Sequence, residues 1–413
     1  MRHPIANTVA VATLAALAAA AAPAAADECD IESGSVRILS NDFEALHVVA
    51  DRAEECAGDG VTVSRDQTEK HKELQVPALS VNPANYTVAV VANNSIVPLL
   101  NEDLIRPLDE YVEKYGQNLN DGQIIRLNGQ VMAIAFMANS QHLYYRTDLA
   151  GDAGPPGSYE EIVERAEALV ESGELERPLA ANFKPGWDLA AEFVNMYSGL
   201  GGEFFEPGSA AAAIENDKGV QALEMMKTMS ELMDVDFLTY DTNEVKPVWE
   251  SGQVAYMNGW GSRAGAFIDT EGDAPEIAAE TAFAAAPTVG GGDIPAATLW
   301  WDGFTIARNV SDEDAEASFR AMMHALSPEL LEEHADAAVW LIDGYEPTPA
   351  AQGVFATIEA GARPYPMLPY MGLLHTALGD NLAEFLQGSE SAEQALKDVT
   401  SAYTSSARQQ GFL

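Results

Sequence analysis

The sequence predicts an α/β protein built from two lobes, and three observations support this fold class. Residues 35–92 alternate short apolar runs with amphipathic runs, in the strand–helix–strand–helix–strand order typical of a parallel sheet with crossovers. About 387 residues remain once a predicted leader is removed, which is too many for one ordinary core. An apolar strand, Val131–Met137, leads through small polar residues into a second β-prone run at Leu143–Tyr145, as a chain that crosses between two cores requires. For that stretch alone, a single-domain hairpin with exposed amides is the alternative.

Residues 1–26 have the features of a signal peptide and are expected to be removed. Arg2 supplies a positive start, Val9–Ala22 is apolar, and Ala24–Ala26 is a small-residue cleavage site that makes Asp27 the mature start. The apolar run is too short and too rich in alanine for a convincing membrane span, although a retained anchor is the alternative. We therefore expect a soluble protein that is exported to the periplasm.

The chain has two cysteines, Cys29 and Cys56. Export makes a disulfide between them allowable, and this bond would tie the mature start to the end of the first predicted helix. Two free buried thiols are the alternative. Because the sequence has no CxxC pattern and few histidines, we predict no metal site, and no cofactor is expected.

The chain carries a formal net charge of −42 at pH 7. Such a surface repels nucleic acid and anionic headgroups, so neither is expected as a partner. A strongly acidic surface also keeps a protein soluble in salty water, and this is our interpretation of the charge.

Polar residues follow the strands predicted for the first lobe. Asn41 and Asp42 come after the first strand, and Asn94 comes after the third. In parallel sheets ligands collect at the carboxyl ends of strands beside helix N-termini, so these residues are candidate ligand contacts. Each is also an ordinary N-cap residue, which is the alternative interpretation. The predicted elements here are strands 35–40, 61–64 and 86–92, with helices from 43, over 67–76 and from 95.

The crossing stretch ends in Asn139, Ser140 and Gln141, of which Asn139 and Gln141 are candidate ligand contacts. A second crossing between the lobes is placed near Pro287. The other predicted elements are, in order, a turn and an amphipathic helix within 104–115, helix 159–172, strand 178–181, a helix from Trp187, helices 217–233 and 242–251, strands 253–258 and 283–286, a pair of short strands within 297–307 around Asp302-Gly303, and helices 311–326, 328–337, 350–360, 372–386 and 391–409.

No catalytic motif is present, so no catalytic residue is assigned and a non-enzymatic protein is expected. GxSxG, SxxK and HExxH are absent, and no two histidines have the i, i+4 spacing of metal ligands. Carboxylates are so numerous that any pair would fit an acid/base couple, and they therefore carry no weight. An exported glycosidase that uses two carboxylates is one alternative class. An adhesion module is another, although the repeats expected of it are missing.

Residues 259–264, GWGSRA, fit the GxGxxA fingerprint of a dinucleotide site. The pattern comes late in the chain, has the bulky Trp260 inside the turn, and lacks a clear βαβ continuation. We interpret it instead as a strand-to-helix turn that aims Trp260 and the helix amides into a cleft.

Five segments in a consistent order carry a family resemblance over nearly the whole mature chain. They are NGQVMAIAFMANSQHLYYRTDL, PPGSYEEIVERAEALV, ESGQVAYMNGWGSRAG, WWDGFTIARNVSDEDAEASFRAMMHALSPE, and RPYPMLPYM followed by LQGSESAEQALKDV. Together they resemble the bacterial extracellular solute-binding proteins of family 1, the maltose-binding type that serves ABC importers.

The resemblance implies a periplasmic binding protein fold of the maltose-binding-like class II, with two discontinuous α/β lobes around a central cleft. It implies an N-terminal lobe of residues 27–137 plus about 288–340, and a C-terminal lobe of 138–287 plus about 341–413. The implied ligand is a carbohydrate or a polyol. The implied partners are the membrane permease subunits of an ABC transporter, and we expect a monomer.

By position in the family pattern, Asn94, Asn139 and Trp260 match ligand contacts. Asp302 and Tyr345 match the return strand and a late loop of that pattern.

The residue types suit a sugar, which has apolar C–H faces and a rim of hydroxyl groups. Trp187, Trp260, Trp300 and Trp301 all lie at predicted strand ends or loops. Trp300 and Trp301 are adjacent and face opposite ways on a strand, so at most one faces the cleft, and we favour Trp301. For each tryptophan, a buried anchor within one lobe is the alternative.

Two charged residues complete the candidate site. Asp302 can accept two hydroxyl hydrogen bonds, or else is a turn residue before Gly303. Arg263 can pair with a carboxylate or sulfonate on the ligand, or else with this protein's own carboxylates. The predicted ligand-binding residues are Asn41, Asp42, Asn94, Asn139, Gln141, Trp187, Trp260, Arg263, Trp301, Asp302 and Tyr345.

The leading hypothesis is a binding protein for a neutral mono- to trisaccharide or polyol. The second keeps the fold and takes an anionic sugar, such as a uronate or sulfonated sugar, held by Arg263.

Overall fold

The structure, a computed structural model, describes residues 29–127 and 129–413. The predicted signal peptide, residues 1–26, and the predicted mature start at Asp27 lie outside the described residues. Within the two described ranges, every helix is too short or too polar to cross a bilayer.

Strands and helices alternate through most of the described chain. The strands are β1 (Gly34–Ser40), β2 (Val61–Gln67), β3 (Val88–Ala92), β4 (Ile124–Leu127), β5 (Gln130–Asn139), β6 (Gln141–Arg146), β7 (Leu179–Ala180), β8 (Tyr256–Trp260), β9 (Thr281–Ala284), β10 (Thr298–Ile306), β11 (Val339–Trp340) and β12 (Arg363–Pro364). The α-helices are α1 (Glu44–Glu54), α2 (His71–Ser80), α3 (Ile96–Asn101), α4 (Asp109–Tyr115), α5 (Thr147–Ala150), α6 (Tyr159–Ser172), α7 (Trp187–Gly199), α8 (Asp217–Glu231), α9 (Val245–Glu250), α10 (Ala264–Phe267), α11 (Pro275–Ala279), α12 (Asp312–Ala325), α13 (Leu330–His334), α14 (Gln352–Glu359), α15 (Met371–Asn381), α16 (Ala383–Leu386) and α17 (Ala392–Gln409).

The first lobe is organised around a sheet in which β1 pairs in parallel with β2 and β3. The strand order is β11-β5-β10-β3-β1-β2, with β4 paired to β5 and β12 paired to β10. All five residues of β3 are buried, as expected of a parallel strand that is covered on both faces. Helix α1 buries Leu46 and Val49 in the same core, where α12 packs beside it. The predicted α/β fold class is confirmed.

The second lobe has a four-stranded sheet in the order β7-β8-β6-β9. Strand β6 is antiparallel to both β8 and β9, and the short β7 is parallel to β8. Helix α7 is buried around most of its circumference, since every residue from Leu189 to Gly199 is buried. It is therefore the central helix of this lobe, and α8 and α15 pack against it.

The backbone passes between the two sheets at three places. Strand β5 ends in the first sheet at Asn139 and β6 begins in the second at Gln141, so Ser140 joins them. The chain returns between β9 and β10, and it passes again between β11 and α14, which packs on β9 and β6. The exact lobe boundaries given above stay a prediction.

One predicted element is wrong. The pair of short strands expected around Asp302-Gly303 is a single strand, β10, with a bulge after Asp302. A Cβ atom on Gly303 would collide with the carbonyl oxygen of Ile134 on β5. The glycine therefore permits the close approach of two strands rather than a turn.

Other elements differ in their bounds. Strand β8 runs through Trp260 instead of ending at Asn258, and a 3-10 turn, Gly261–Arg263, then leads into α10. Helix α2 begins at His71, because β2 continues to Gln67 in register with β1. The polar residues that separate them lie at the carboxyl end of β2.

The predicted disulfide between Cys29 and Cys56 is confirmed, with the two Cα atoms 5.5 Å apart. The two cysteines are 27 residues apart in the sequence, and their bond holds the start of the described chain beside the end of α1. A cross-link of this length restricts the unfolded chain and so favours the folded one.

We predict that replacing both cysteines with serine lowers the free energy of unfolding by about 3–4 kcal/mol, as chain-entropy reasoning gives for a loop of this size. Urea denaturation of the oxidised wild type and of the double variant measures the difference. As a control, adding a reductant should destabilise the wild type and leave the double variant unchanged. Equal stabilities of the oxidised wild type and the double variant would contradict the prediction.

Candidate functional site

A cavity of about 500 Å³ lies between the two lobes. The first lobe contributes residues from the carboxyl ends of β1, β3 and β5, from the start of α2 and from β10. The second lobe contributes the start of α7, the loop before α9, the end of β8 and one residue of α15. The cavity therefore lies where polar groups at strand ends of one sheet face helix starts and strand ends of the other.

Three tryptophans form an aromatic wall in this cavity. The indole rings of Trp187, Trp260 and Trp300 are 5.7 to 5.8 Å apart, centroid to centroid, in each of the three pairings. Tyr365 packs 4.1 Å behind Trp300, and His375 packs 5.3 Å from Trp187. These supporting rings fix the wall, an apolar surface that is largely covered in this conformation: Trp260 and Trp300 are 5% and 6% exposed.

The prediction that Trp301, rather than Trp300, faces the cleft is wrong. Trp300 lines the cavity together with Asp302, while Trp301 packs against the core of the first lobe. Successive side chains of a strand point to opposite faces, so Trp300 and Asp302 share one face and Trp301 lies on the other.

Gln141 was predicted as a ligand contact, but it is fully buried and does not line the cavity. It belongs to a hydrogen-bonded chain that ends at the indole of Trp300. The links are Trp300 Nε1 to Thr298 Oγ1 (2.9 Å), Thr298 Oγ1 to Asn195 Oδ1 (2.7 Å), Asn195 Nδ2 to Gln141 Oε1 (2.7 Å) and Gln141 Nε2 to Glu192 Oε1 (2.8 Å). Burial raises the pKa of Glu192 to about 8, and the bonds from Gln141 and Asn258 oppose that rise. Gln141 thus helps to hold the wall in place.

Thr298 is a direct test of this chain, because it accepts the indole N–H and donates to Asn195. Thr298→Val keeps the shape of the side chain but removes the acceptor of the Trp300 indole N–H and the donor to Asn195 Oδ1. We predict a loss of about 1–3 kcal/mol in the free energy of unfolding, measured in urea. Thr298→Ser, which retains the hydroxyl, should lose clearly less; equal losses in the two variants would contradict the proposed role.

Asn139, at the end of β5, lines the cavity, but its side chain already forms hydrogen bonds within the protein. Its Nδ2 donates to Ser262 Oγ at 3.0 Å, and its Oδ1 accepts from Ser262 N at 3.1 Å. Both bonds reach from the first lobe to the turn that follows Trp260. Asn139 therefore positions that turn.

Two cations and two carboxylates of the cavity, Asp302 and the exposed Glu73, have no polar partner among residues 29–127 and 129–413. Lys72 Nζ lies 4.1 Å from the ring centroid of Trp187, and the Arg263 guanidinium lies 5.0 Å from the ring centroid of Phe43. Neither cation donates a hydrogen bond or forms an ion pair within those described ranges, and the carboxylate of Asp302 accepts no hydrogen bond there.

Burial controls the ionisation of these groups. It lowers the pKa of Lys72 to about 8, although Asp302 and Asp188 oppose the change. Burial also raises the pKa of Asp302 to about 7, against the nearby charge of Lys72, and it lowers the pKa of Arg263. Each group is therefore held in a place where its charged form is poorly solvated.

Three other carboxylates beside the cavity are engaged. Asp188 accepts from Thr242 Oγ1 at 2.8 Å, and Asp241 forms an ion pair with Lys184 at 2.6 Å. Glu69, on the first lobe, accepts a hydrogen bond from the amide of Asn243 on the second. Burial raises the pKa of Asp188 to about 6, with the bond from Thr242 acting against it.

The raised pKa of Asp302 predicts a pH-dependent effect of Asp302→Asn. Because the folded protein holds this proton more tightly than the unfolded chain does, wild-type stability falls as the pH rises from about 4 towards 7. Asparagine does not titrate. The stability of the variant relative to wild type should therefore increase by about 2–3 kcal/mol between pH 5 and pH 8, measured by urea denaturation at both pH values. A difference that stays constant with pH would contradict this assignment.

The remaining predicted contacts divide into two groups. Asn41 lines the cavity, whereas Asp42 is exposed outside its lining and pairs with His47 at 2.6 Å. Asn94 and Tyr345 also lie outside the lining, and the ring of Tyr345 stacks on the ring of Phe355. The structure thus places five of the predicted contacts outside the lining of this cavity: Asp42, Asn94, Gln141, Trp301 and Tyr345.

Sequence reasoning missed Lys72, Asp188 and Phe43, which all line the cavity. Lys72 offered no strand-end signal, because it lies in the first turn of the polar helix α2 and not directly after β2, which ends at Gln67. Asp188 follows Trp187 in the first turn of α7, where a carboxylate is also an ordinary helix-start residue.

A second depression, of about 620 Å³, lies on the outer face of the first lobe beside the disulfide. Its basic side chains are occupied: Arg52 donates to Ser327 Oγ at 2.9 Å, and Arg320 pairs with Asp30 at 2.6 Å. His324 lies near the sulfurs of Cys29 and Cys56, which are bonded to each other and offer no thiolate to a metal. The cavity between the lobes is therefore the better candidate for a binding site.

Residues 47–326, more than half of the chain, match the family described as bacterial extracellular solute-binding protein. The chain therefore belongs to this family, and the predicted membership is confirmed. The family and the fold are those of transport solute-binding proteins rather than enzymes.

Comparison with individual proteins supports membership of this family. A probable ABC transporter-binding protein of Deinococcus radiodurans is 27% identical over 181 residues, which span 42% of this chain and 42% of that relative. Maltose-bound T. maritima MalE3 superposes with a TM-score of 0.77 at 18% identity, covering 90% of this chain and 99% of that one. A ribitol-bound solute-binding protein from Agrobacterium radiobacter superposes with a TM-score of 0.75 at 18% identity, covering 90% and 98%. These likenesses confirm the periplasmic binding protein fold.

Proposed function

We propose that this protein is the periplasmic substrate-binding component of an ABC importer. It binds a carbohydrate or polyol in the cavity between its lobes, acts as a monomer, and delivers the ligand to membrane permease subunits. The observation that carries the proposal is the wall of Trp187, Trp260 and Trp300 in a cavity that also presents amide, carboxylate and cationic side chains.

The chemistry of the cavity matches a sugar. The C–H face of a pyranose ring or a polyol chain packs on an indole face, while its hydroxyl groups need planar donors and acceptors at the edge. The volume of about 500 Å³ is within the range of roughly 300–1,000 Å³ that small-molecule sites occupy. The maltose and ribitol bound by the two structural relatives support the same ligand class.

The contacts between the lobes support closure around the ligand. Lys72 of the first lobe lies over Trp187 of the second, Arg263 of the second lies over Phe43 of the first, and Glu69 binds Asn243 at the rim. These contacts form only when the lobes are close. Closure excludes water from the ligand and creates a joint surface of both lobes that a permease can recognise.

We predict that a library of sugars and polyols contains a ligand that raises the thermal unfolding temperature and binds in calorimetry. Trp260→Leu should weaken that ligand at least tenfold, because the aromatic wall loses one of its three faces. Trp301→Leu is the matched control, since it removes an indole from the opposite face of β10 and should leave the affinity within about twofold.

Two outcomes would overturn the proposal. One is that no member of the library binds to protein that has been freed of ligand by unfolding and refolding and shown to be folded. The other is release of product from aryl glycosides, which would indicate a glycosidase.

A further inference from the structure

Among the residues that the structure describes, Lys72 and Arg263 of the cleft have no hydrogen-bonded or ion-paired partner, although carboxylates are abundant. The chain has 64 acidic and 22 basic residues, so a basic side chain normally finds an acid. Near the cavity, Lys184 pairs with Asp241, and Arg146 of the second lobe pairs with Asp148. Lys72 and Arg263 form no such pair in the part of the chain that the structure describes, and each lies over an aromatic ring. Carboxylates act on both cations, but only from beyond ion-pair distance. The proposed pairing of Arg263 with the protein's own carboxylates is therefore not observed.

Leaving these cations unpaired is costly unless something else binds them. An ammonium offers three donors and a guanidinium offers five, and donors held away from water destabilise the folded protein when they stay unbonded. Groups that weaken a fold persist where a ligand satisfies them. Lys72 enters the cavity from α2 of the first lobe and Arg263 from the turn after β8 of the second. An anion in the cavity would thus meet a cation from each lobe.

The carboxylate of Asp302 indicates which other chemical groups the ligand carries. Within residues 29–127 and 129–413, Asp302 accepts no side-chain hydrogen bond, whereas Asp188, Asp241 and Glu69 are engaged. Glu73 also lines the cavity without a hydrogen bond in those ranges, but it is exposed to solvent. Asp302 can accept two hydroxyl donors from a ligand. A ligand amine is disfavoured, because the ammonium of Lys72 already lies on the Trp187 face where a cation would bind.

We infer that the ligand is an acidic carbohydrate, a uronate or aldonate. Lys72 and Arg263 bind its carboxylate from the two lobes, and Asp302 accepts hydrogen bonds from its hydroxyl groups. The inference rests on the proposed sugar-binding function and narrows it to one substrate class. The planar fork of a guanidinium matches a carboxylate in a paired geometry, which explains why an arginine serves here.

The test pairs each acidic sugar with its neutral counterpart. The full mature protein is unfolded, freed of ligand, refolded, and titrated in a calorimeter with D-galacturonate, D-glucuronate, D-gluconate and a digalacturonate. The matched set is D-galactose, D-glucose, D-glucitol and a neutral disaccharide. We expect an acidic member to bind at least a hundredfold more tightly than its neutral partner.

The outcomes separate this inference from the proposed function. Tight binding of a neutral sugar, with its acid equal or weaker, would overturn the acidic class and leave sugar transport standing. No binding by any member of either set would overturn both.

Substitutions of the two cleft cations test where the carboxylate of the ligand binds. Lys72→Met and Arg263→Met should each weaken the acidic ligand at least tenfold, and neither should lower the unfolding temperature of the empty protein, because each removes an unpartnered charge. Lys397→Met and Arg408→Met are the matched controls, since both residues are exposed on α17, and they should leave affinity unchanged. Unchanged affinity in both cleft variants would overturn the assignment.

A pH series provides an independent readout. Lys72 loses its proton as the pH rises through about 8, while Asp302 and Asp188, which face it, gain negative charge at about 7 and about 6. The first change removes an attraction for a carboxylate and the other two add a repulsion, so affinity for the acidic sugar should fall by more than tenfold from pH 6 to pH 9. The fall should be smaller in Lys72→Met. Affinity that is flat with pH would contradict the inference.

Discussion

The pairing of β10 with both β3 and β5 is the constraint on which the rest of the site depends. Strand β10 lies antiparallel between two strands of the first lobe, and its register fixes which side chains turn towards the second lobe. The close approach at Gly303 holds that register against β5. As a result Trp300 completes an aromatic wall whose other two members belong to the second lobe. One strand thus supplies part of a surface that neither lobe builds alone.

The polar chain from Glu192 to Trp300 shows how the second lobe supports that surface. Gln141 begins β6 directly after the crossing at Ser140, and Thr298 begins β10 directly after the return. Their bonds through Asn195 link two of the three passages between the sheets inside one buried network. Buried polar groups of this kind rigidify a structure when they are satisfied. The orientation of the wall and the position of the crossings are therefore coupled.

Sequence patterns were sufficient for the fold but only partly for the site. The strand–helix alternation, the crossing near Ser140 and the disulfide were accessible, because apolar periodicity and cysteine pairing follow from local rules. Trp187, Trp260, Arg263 and Asp302 were found because aromatic and charged residues at strand ends are unusual. The choice between Trp300 and Trp301 required the strand register. Lys72 was hidden because an isolated lysine in a polar helix is indistinguishable from a solvated one until the opposite lobe is in place.

The contact between Glu69 and Asn243 has a practical consequence. Both residues are exposed at the rim, and each belongs to a different lobe. Because the contact cannot survive separation of the lobes, the distance between the two positions reports the state of the whole molecule. A donor and an acceptor dye attached at these positions would show a change in energy transfer each time the lobes open. The labelled protein would then be an optical sensor for its own ligand.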